Sequence, residues 1–284
     1  MKQFITRRSF IKAAGAATAL TAVSVGAPAA FAEETNCFFG DKADVTILYT
    51  NDVHTYIDKK SPELTYAAIA ALKKSYQDAG KNVLLVDAGD HIQGTAYGSM
   101  DEGASIIQLM NAAGYDVATP GNHEFDYGQE VLNRRMEQAN FQFLCANMIV
   151  DEETAGIKQP QPYAFLQIGD TKICILGLIE VSKRRTGELL PATHPARLKG
   201  ITFTEPVSTA LKYKNLRSRC NLFVGLTHTG YNKDCEIAEA MPELDVIIGG
   251  HSHTRIDSTI VVNGVLISCL LYTSPSPRDY AASR

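Results

Sequence analysis

The chain has 284 residues, of which 45% are hydrophobic and 20% charged. This composition excludes a disordered chain and a coiled coil, and the length suffices for one large domain or two small ones. The formal net charge of −4 argues against nucleic-acid polymers and anionic membranes as partners.

The first residues have the pattern of an export signal. Arg7 and Arg8 form a twin-arginine pair, an Ala-rich apolar stretch follows, and Ala30 and Ala32 offer a small-residue cleavage site. Because the stretch is short for a membrane span, we expect residues 1–32 to be cleaved. The mature chain would then have no stable membrane span, and the protein would be periplasmic, extracellular or bound to the cell surface. Without them, 23 basic residues face 31 acidic ones, a net charge of −8.

A strand is predicted at residues 45–49, and Asp52 and His54 follow it. With the period of two of an extended chain, these side chains share a face and can bind one cation together. A helix is then predicted to begin with Ser61 as its cap and to end near Gly80.

A second strand, residues 83–86, is continuously apolar, which is typical of strands buried on both faces. Gly89 allows a tight turn after it, and Asp90 has two oxygens that can bridge two metal ions. We expect Asp87 and His91 to make supporting or surface contacts instead.

A third strand leads into Gly121, Asn122, His123 and Glu124. Adjacent side chains of an extended chain point to opposite sides, so Asn122 can ligate a metal while His123 faces whatever that metal binds. Asp126 is close enough to fix the tautomer of His123 and to support its charge, and Glu124 is assigned a structural role. On these residues alone, a Gly-Asn turn with an exposed histidine stays an equal alternative.

The intervening segments are mostly assigned from hydrophobic periodicity and turn residues. They comprise helices at 104–113 and 129–140, strands at 117–119 and 143–145, a hairpin of 164–168 with 172–178, and a loop from 182 to 200 whose His194 faces solvent.

Two later strands also end in histidines. Residues 222–226 lead to His228, and residues 245–248 lead to His251 and His253. A single histidine at a strand end is usually a satisfied polar residue, but five strand ends that carry Asp, Asn or His predict one shared metal site.

The six cysteines show no C-x-x-C pair, so no thiolate metal site is predicted. Cys145 and Cys174 lie in apolar runs and are expected to be free core thiols. A disulfide between Cys220 and Cys235 is left open.

The last part of the sequence has the pattern of a hairpin, residues 259–267, followed by a segment without periodicity. A nucleotide string that resembles a transposase adapter used in sequencing libraries would encode Cys269 to Asp279. We therefore expect residues 269–284 to be a non-native tail, and the strand with Ile267 to be an incompletely covered sheet edge.

Together these motifs resemble the calcineurin-like metallophosphoesterases over residues 44–268. The runs from Gly89 to Gly94 and from Asn122 to Asp126 resemble the exported 5′-nucleotidase and UDP-sugar hydrolase branch. The resemblance implies an α/β fold, a four-layer αββα sandwich, with ligands on loops at strand ends. It also implies a separate C-terminal nucleotide-specificity domain, which we expect to be absent here.

The resemblance further implies a role for each motif residue. One divalent ion would bind Asp52, His54, Asp90 and His253, a second would bind Asp90, Asn122, His228 and His251, and His123 with Asp126 would be catalytic. Oxygen and imidazole ligands without thiolate suit Zn, Mn or Fe, and the two ions would activate a bridging water as the nucleophile. His123 would stabilise the growing charge and the leaving oxygen.

The expected function is therefore hydrolysis of a small phosphoester, most simply a nucleoside phosphate by a 5′-nucleotidase. A 2′,3′-cyclic-nucleotide phosphodiesterase, a UDP-sugar hydrolase and a sulfur-ester hydrolase stay open, because the metal ligands do not encode the leaving group. A non-catalytic metal-binding surface protein would require loss of a ligand or of His123, and the sequence retains them all.

Overall fold

The computed structural model describes residues 12–14, 21–25, 45–57, 65–254 and 260–269. The predicted signal peptide, residues 1–32, and the predicted tail, residues 269–284, lie outside these ranges apart from two short strands and Cys269. None of the helices in this described part has the length and apolar character that crossing a bilayer requires.

The first sheet is built from six strands, which follow one another in the sheet as they do in the chain. They are β1 Lys12–Ala14, β2 Thr21–Val25, β3 Val45–Thr50, β4 Val83–Asp87, β5 Val117–Ala118 and β6 Gln142–Phe143. β3 to β6 pair in parallel, whereas β2 pairs with β3 and β1 with β2 in antiparallel fashion. The parallel strands therefore present their carboxyl ends at one edge of the sheet.

The second sheet also has six strands, and two pairs of short strands lie beside it. The remaining strands are β7 Met148–Val150, β8 Tyr163–Ile168, β9 Thr171–Ile179, β10 Ser182–Lys183, β11 Leu189–Leu190, β12 Ile201–Phe203, β13 Leu222–His228, β14 Val246–Gly249, β15 Ile260–Val262 and β16 Val265–Cys269. The second sheet has the order β15-β16-β14-β13-β9-β8, while β7 pairs with β12 and β10 with β11. Its central strands β9, β13, β14 and β16 are parallel.

Helices cover the outer face of each sheet. The α-helices of the described residues are α1 Tyr66–Asp78, α2 Ala96–Met100, α3 Ala104–Ala113, α4 Gln129–Gln138, α5 Glu152–Ala155, α6 Pro206–Leu211 and α7 Tyr231–Ala240. Ile69 of α1 and Met110 of α3 share a buried cluster with Leu85 of the first sheet. Ile237 of α7 shares another with Ile247 of the second sheet.

The inner faces of the two sheets bury a common core. Ile47 and Val86 of the first sheet lie in one cluster with Ile175, Val224 and Ile248 of the second. Burying each of these aliphatic side chains contributes about 1.5–3 kcal/mol, and their β-branched shape favours extended backbone. With helices outside both sheets, the structure confirms the predicted four-layer αββα sandwich.

Most predicted elements are confirmed with shifts of one or two residues at their ends, and both predicted hairpins form, β8 with β9 and β15 with β16. The helix predicted from Ser61 instead begins at Tyr66, with the side chain of Thr65 capping the backbone N–H of Ala68. Residues 58–64 lie outside the described ranges.

The predicted open edge at Ile267 is wrong. Its strand, β16, lies between β14 and β15 and is paired on both sides. The hairpin partner, which the sequence did predict, is what covers it.

No disulfide links any of the cysteines in the described residues. Cys145 and Cys174 are buried as expected. Cys220 and Cys235 do not pair, so the disulfide left open by the sequence is not formed.

Candidate metal centre

The predicted ligands lie just beyond the carboxyl ends of parallel strands in both sheets. Asp52 and His54 follow β3, Asp90 follows β4, Asn122 follows β5, His228 ends β13, and His251 and His253 follow β14. Three overlapping groups have their nitrogen and oxygen atoms within 4.8 Å of one another. They are Asp52 with His54 and His253, His54 with Asp90 and His123, and Asp90 with His228 and His251.

The spacing of the donor atoms fits bound divalent ions. Asp90 Oδ2 lies 3.1 Å from His228 Nε2 and 3.8 Å from His54 Nε2. His253 Nε2 lies 3.4 Å from both Asp52 Oδ1 and His54 Nε2. Ligand bonds of about 2.0–2.2 Å separate the ligands of one ion by about 3–3.5 Å. Asp90 belongs to two of the groups, so its carboxylate lies between two sets of possible donor atoms.

Backbone carbonyls orient two of the histidines. His228 Nδ1 lies 2.7 Å from the carbonyl oxygen of Ala88, and His54 Nδ1 lies 3.0 Å from that of Gln93. A carbonyl only accepts, so Nδ1–H donates in each case and Nε2 is the ring nitrogen that would bind a metal once its proton is released.

The amide of Asn122 is oriented in a similar way. Its Nδ2 donates to the carbonyl oxygen of Ala192 at 3.3 Å. Its Oδ1 then lies 3.0 Å from His251 Nδ1 and 3.3 Å from His228 Nε2. The oxygen that can ligate a metal therefore faces the same atoms as Asp90 does.

Glu124 joins the loop after β4 to the turn after β5. Its carboxylate accepts backbone N–H bonds from Asp90 at 2.7 Å, His91 at 2.8 Å, Ile92 at 3.1 Å and Gly121 at 2.6 Å, and the residue is fully buried. The predicted structural role of Glu124 is confirmed.

Asp87 and His91 make buried supporting contacts beneath the site. His91 Nδ1 lies 2.8 Å from Asp87 Oδ1, which also accepts the backbone N–H of Gly89 at 2.9 Å. Burial lowers the pKa of His91, but the carboxylates of Glu124 and Asp87 outweigh burial and raise that pKa to about 9.

The backbone at the predicted ligands differs from the extended chain that the sequence suggested. Five predicted ligands have a left-handed φ: Asp52 (51°), His54 (47°), Asp90 (61°), His251 (80°) and His253 (49°). Such a conformation costs about 1–3 kcal/mol for a residue other than glycine and concentrates at functional sites. Asp52 and His54 therefore share the site because the chain turns, and the explanation by a period of two is wrong.

Asn122 and His123 also depart from the prediction, because residues Asn122–Phe125 form one 3₁₀ turn. Their side chains therefore do not point to opposite sides of a strand. His123 lies in one group with His54 and Asp90, and its backbone N–H donates to Asp90 Oδ1 at 2.9 Å.

Two glycines let the loops that carry the predicted ligands approach one another. A Cβ on Gly121 would lie 2.2 Å from Asp90 Oδ1 and 2.7 Å from His228 Nε2, and a Cβ on Gly89 would lie 2.7 Å from His228 Nδ1. Because these separations are far below van der Waals contact, only glycine fits in either motif.

The buried charges are balanced by histidine in the metal-free chain. Burial would raise the pKa of Asp90, but His228 and His123 outweigh burial and hold that pKa well below its usual range. Burial lowers the pKa of His228, but Asp90 and Asp52 raise it to about 10. Burial and the charge of His228 lower the pKa of His251 to about 4. A divalent ion would supply the positive charge that His228 otherwise provides.

The expected contact between His123 and Asp126 is present, with His123 Nδ1 2.8 Å from Asp126 Oδ2. The other oxygen of Asp126 accepts from Arg197 at 2.6 Å and from the Thr193 hydroxyl at 3.4 Å. Sequence reasoning missed both residues, which lie in the predicted loop from 182 to 200. Nothing in their spacing marks them, whereas His194 in the same loop is exposed as predicted.

The model of the calcineurin-like phosphoesterase family matches residues 45–255. The chain is 31% identical over 254 residues to the trifunctional nucleotide phosphoesterase YfkN of Bacillus subtilis, covering 78% of this chain and 16% of that protein. It is 33% identical over 228 residues to the 5′-nucleotidase of Homo sapiens, covering 74% of this chain and 38% of that one.

Among solved structures, the 5′-nucleotidase precursor of Thermus thermophilus matches with a TM-score of 0.68 and 29% identity. The match covers 79% of this chain and 48% of that one. The chain thus spans less than half the length of each of these three proteins.

Proposed function

Because the chain belongs to the calcineurin-like phosphoesterase family and is therefore a metal-dependent phosphoester hydrolase, we propose that it uses two divalent ions to hydrolyse nucleotides, as a 5′-nucleotidase. The observation that carries the two-ion proposal is the position of Asp90, whose Oδ2 lies 3.8 Å from His54 Nε2 and 3.1 Å from His228 Nε2. One carboxylate between two sets of imidazoles is the arrangement that two neighbouring ions require.

Each ion would have its own set of ligands around the shared Asp90. Asp52, His54 and His253 would hold one, and Asn122, His228 and His251 would hold the other. The oxygen and imidazole donors suit Zn, Mn or Fe. Bound ions would polarise the phosphoryl oxygens and activate water for attack on phosphorus.

The chain itself would supply His123 as a donor to the reacting phosphate. Asp126 holds Nδ1 of the ring at 2.8 Å and favours the charged imidazole, so Nε2 is the ring atom that would act on the substrate. A donor aimed at the charge that develops on phosphoryl and leaving-group oxygens stabilises the transition state more than the ground state. Asp126 would act through His123 and not on the substrate.

The choice of nucleotides as substrates is supported by the relatives, several of which are 5′-nucleotidases at about 30% identity. The metal ligands alone do not select a leaving group. We further propose export through the twin-arginine signal at Arg7 and Arg8, so that the substrate would be met outside the cytoplasm.

The test combines metal analysis with chromatographic measurement of the products from AMP, UDP-glucose and 2′,3′-cyclic AMP. Hydrolysis of AMP gives adenosine and phosphate, whereas UDP-glucose gives UMP and glucose 1-phosphate, and 2′,3′-cyclic AMP gives a nucleoside monophosphate. We expect two ions per chain, hydrolysis of AMP, and loss of both properties in Asp90→Asn. Asp78→Asn is the matched control, because Asp78 forms an exposed pair with Lys74. One ion per chain with full activity would refute the two-ion proposal, and hydrolysis of the other substrates without AMP would refute the 5′-nucleotidase assignment.

A further inference from the structure

Asp126 is held from two sides, and only one of its partners belongs to the proposed mechanism. Oδ2 faces His123 Nδ1 at 2.8 Å, while Oδ1 accepts from the Arg197 guanidinium at 2.6 Å and from Thr193 at 3.4 Å. We propose that Arg197 is a positioning residue that fixes the Asp126 carboxylate and thereby the ring of His123. The inference rests on the proposed function of His123.

A single hydrogen bond would leave the carboxylate free to rotate about its side chain. The guanidinium on Oδ1 fixes the second oxygen, so the plane of the carboxylate and the direction of Oδ2 are both set. The bond is charge-assisted on both sides, and such bonds are about twice as strong as neutral ones. Asp126 is only 17% exposed, so the pair is partly shielded from water although Arg197 is 39% exposed.

Arg197 lies in a segment, residues 191–197, whose first residues are fixed by hydrogen bonds to other parts of the chain. Arg184 donates to the carbonyl oxygens of Pro191 at 2.8 Å and Thr193 at 3.2 Å. Between them, the N–H of Ala192 donates to Glu180, and the carbonyl oxygen of Ala192 accepts from Asn122. The 191–197 segment therefore reaches both the amide of a predicted metal ligand and the partner of His123.

A guanidinium this close to the site suggests a second possibility, direct binding of the substrate phosphate. The two roles predict different kinetics. A positioning residue lowers kcat with little change in KM, and its effect disappears when Asp126 can no longer hold the ring. A substrate-binding residue raises KM, and its effect persists in the absence of Asp126.

The kinetic experiment compares Arg197→Gln, Arg197→Lys, Asp126→Asn and the Arg197→Gln/Asp126→Asn double variant, with bound metal measured in each. We expect Arg197→Gln to lose roughly 10-fold in kcat, as is usual when a supporting partner is removed, with unchanged metal content and KM. Arg197→Lys should recover most of the loss, because it restores a cationic donor, and the double variant should resemble Asp126→Asn alone. Arg134→Gln is the matched control, since Arg134 forms an exposed pair with Glu102.

A spectroscopic measurement separates this inference from the assignment of the reaction. In the zinc-loaded, histidine-labelled protein, the Nδ1–H resonance of His123 is identified by its loss in His123→Ala. We expect this resonance to broaden or disappear in Arg197→Gln and to return in Arg197→Lys. If it is unchanged in Arg197→Gln, or if that variant raises KM alone, the positioning role is wrong. If the resonance responds while no phosphoester is hydrolysed, the positioning role stands and the proposed function fails.

Discussion

Replacement of Glu124 by Gln should strongly destabilise the protein, although the two side chains have nearly the same shape. The carboxylate accepts two backbone N–H bonds on each oxygen, those of His91 and Ile92 on Oε1 and those of Asp90 and Gly121 on Oε2. Whichever way the amide turns, its NH₂ group faces two N–H donors that lose their acceptor.

The number of hydrogen bonds lost sets the size of the expected change in the free energy of unfolding. A bond to a charged group contributes about 1.5–3 kcal/mol, and each buried donor left unpaired costs a similar amount. Two lost bonds therefore predict about 3–6 kcal/mol, which for a domain of this size lowers Tm by roughly 6–24 °C. His91, whose pKa Glu124 and Asp87 raise to about 9, also loses a neighbouring negative charge.

Thermal and urea unfolding of Glu124→Gln, measured with and without added metal, test the prediction. Glu102→Gln is the control, because its exposed pair with Arg134 should contribute about 0–1 kcal/mol. We also expect weaker metal binding, since the loop that carries Asp90 is no longer joined to Gly121. A Tm of Glu124→Gln within roughly 1 °C of the Tm of the control variant would be far less than the expected shift. That result would refute the prediction, because the four bonds to Glu124 would then not stabilise the site.

Three further outcomes are expected. His123→Ala should keep its bound metal and lose roughly 100- to 1,000-fold in kcat, with a milder loss in Asp126→Asn; loss of metal in proportion to activity would make His123 a ligand. Gly121→Ala should bind metal poorly while it still folds, because the added Cβ displaces Asp90; metal analysis of the purified variant is the measurement. After chelation, the free energy of unfolding should fall as pH rises from about 6.5 to about 10, because the folded-state pKa of His228 is raised above its unfolded value and the stabilising proton is lost in that range. Unfolding of the metal-free protein is measured at both ends of this pH range. An unchanged unfolding midpoint would contradict the prediction.

The positions of the proposed ligands in the fold could be predicted from the sequence because they depend on local signals. A continuous apolar run such as residues 83–86 identifies a buried strand, and the polar residue after it must lie at the sheet edge. The same reasoning predicts that Asp90 and His228 lie at the carboxyl ends of their strands. Parallel pairing then brings separate strand ends together without any knowledge of the loops.

The geometry within the site could not be predicted, because it depends on contacts distant in sequence. Nothing in the local sequence around Asp52 indicates a left-handed backbone, which is stabilised by surroundings that include the loop after β14. The carbonyl oxygen of Ala192 orients Asn122 across 70 residues, and any residue type offers a carbonyl. The role of Arg197 could not be predicted for the same reason, since its partner Asp126 lies 71 residues away.

The division of the proposed ligands between two sheets has a consequence for folding kinetics. His228 reaches the carbonyl oxygen of Ala88 across 140 residues, and the backbone N–H of His251 reaches Asp52 across 199. Contacts of such sequence separation form slowly, because the loop entropy is lost before they stabilise the chain. A chain with only its first sheet formed would hold only part of each proposed ligand set. In a refolding experiment, capture of the ions should therefore lag behind the appearance of helical and strand signals and mark the docking of the two sheets.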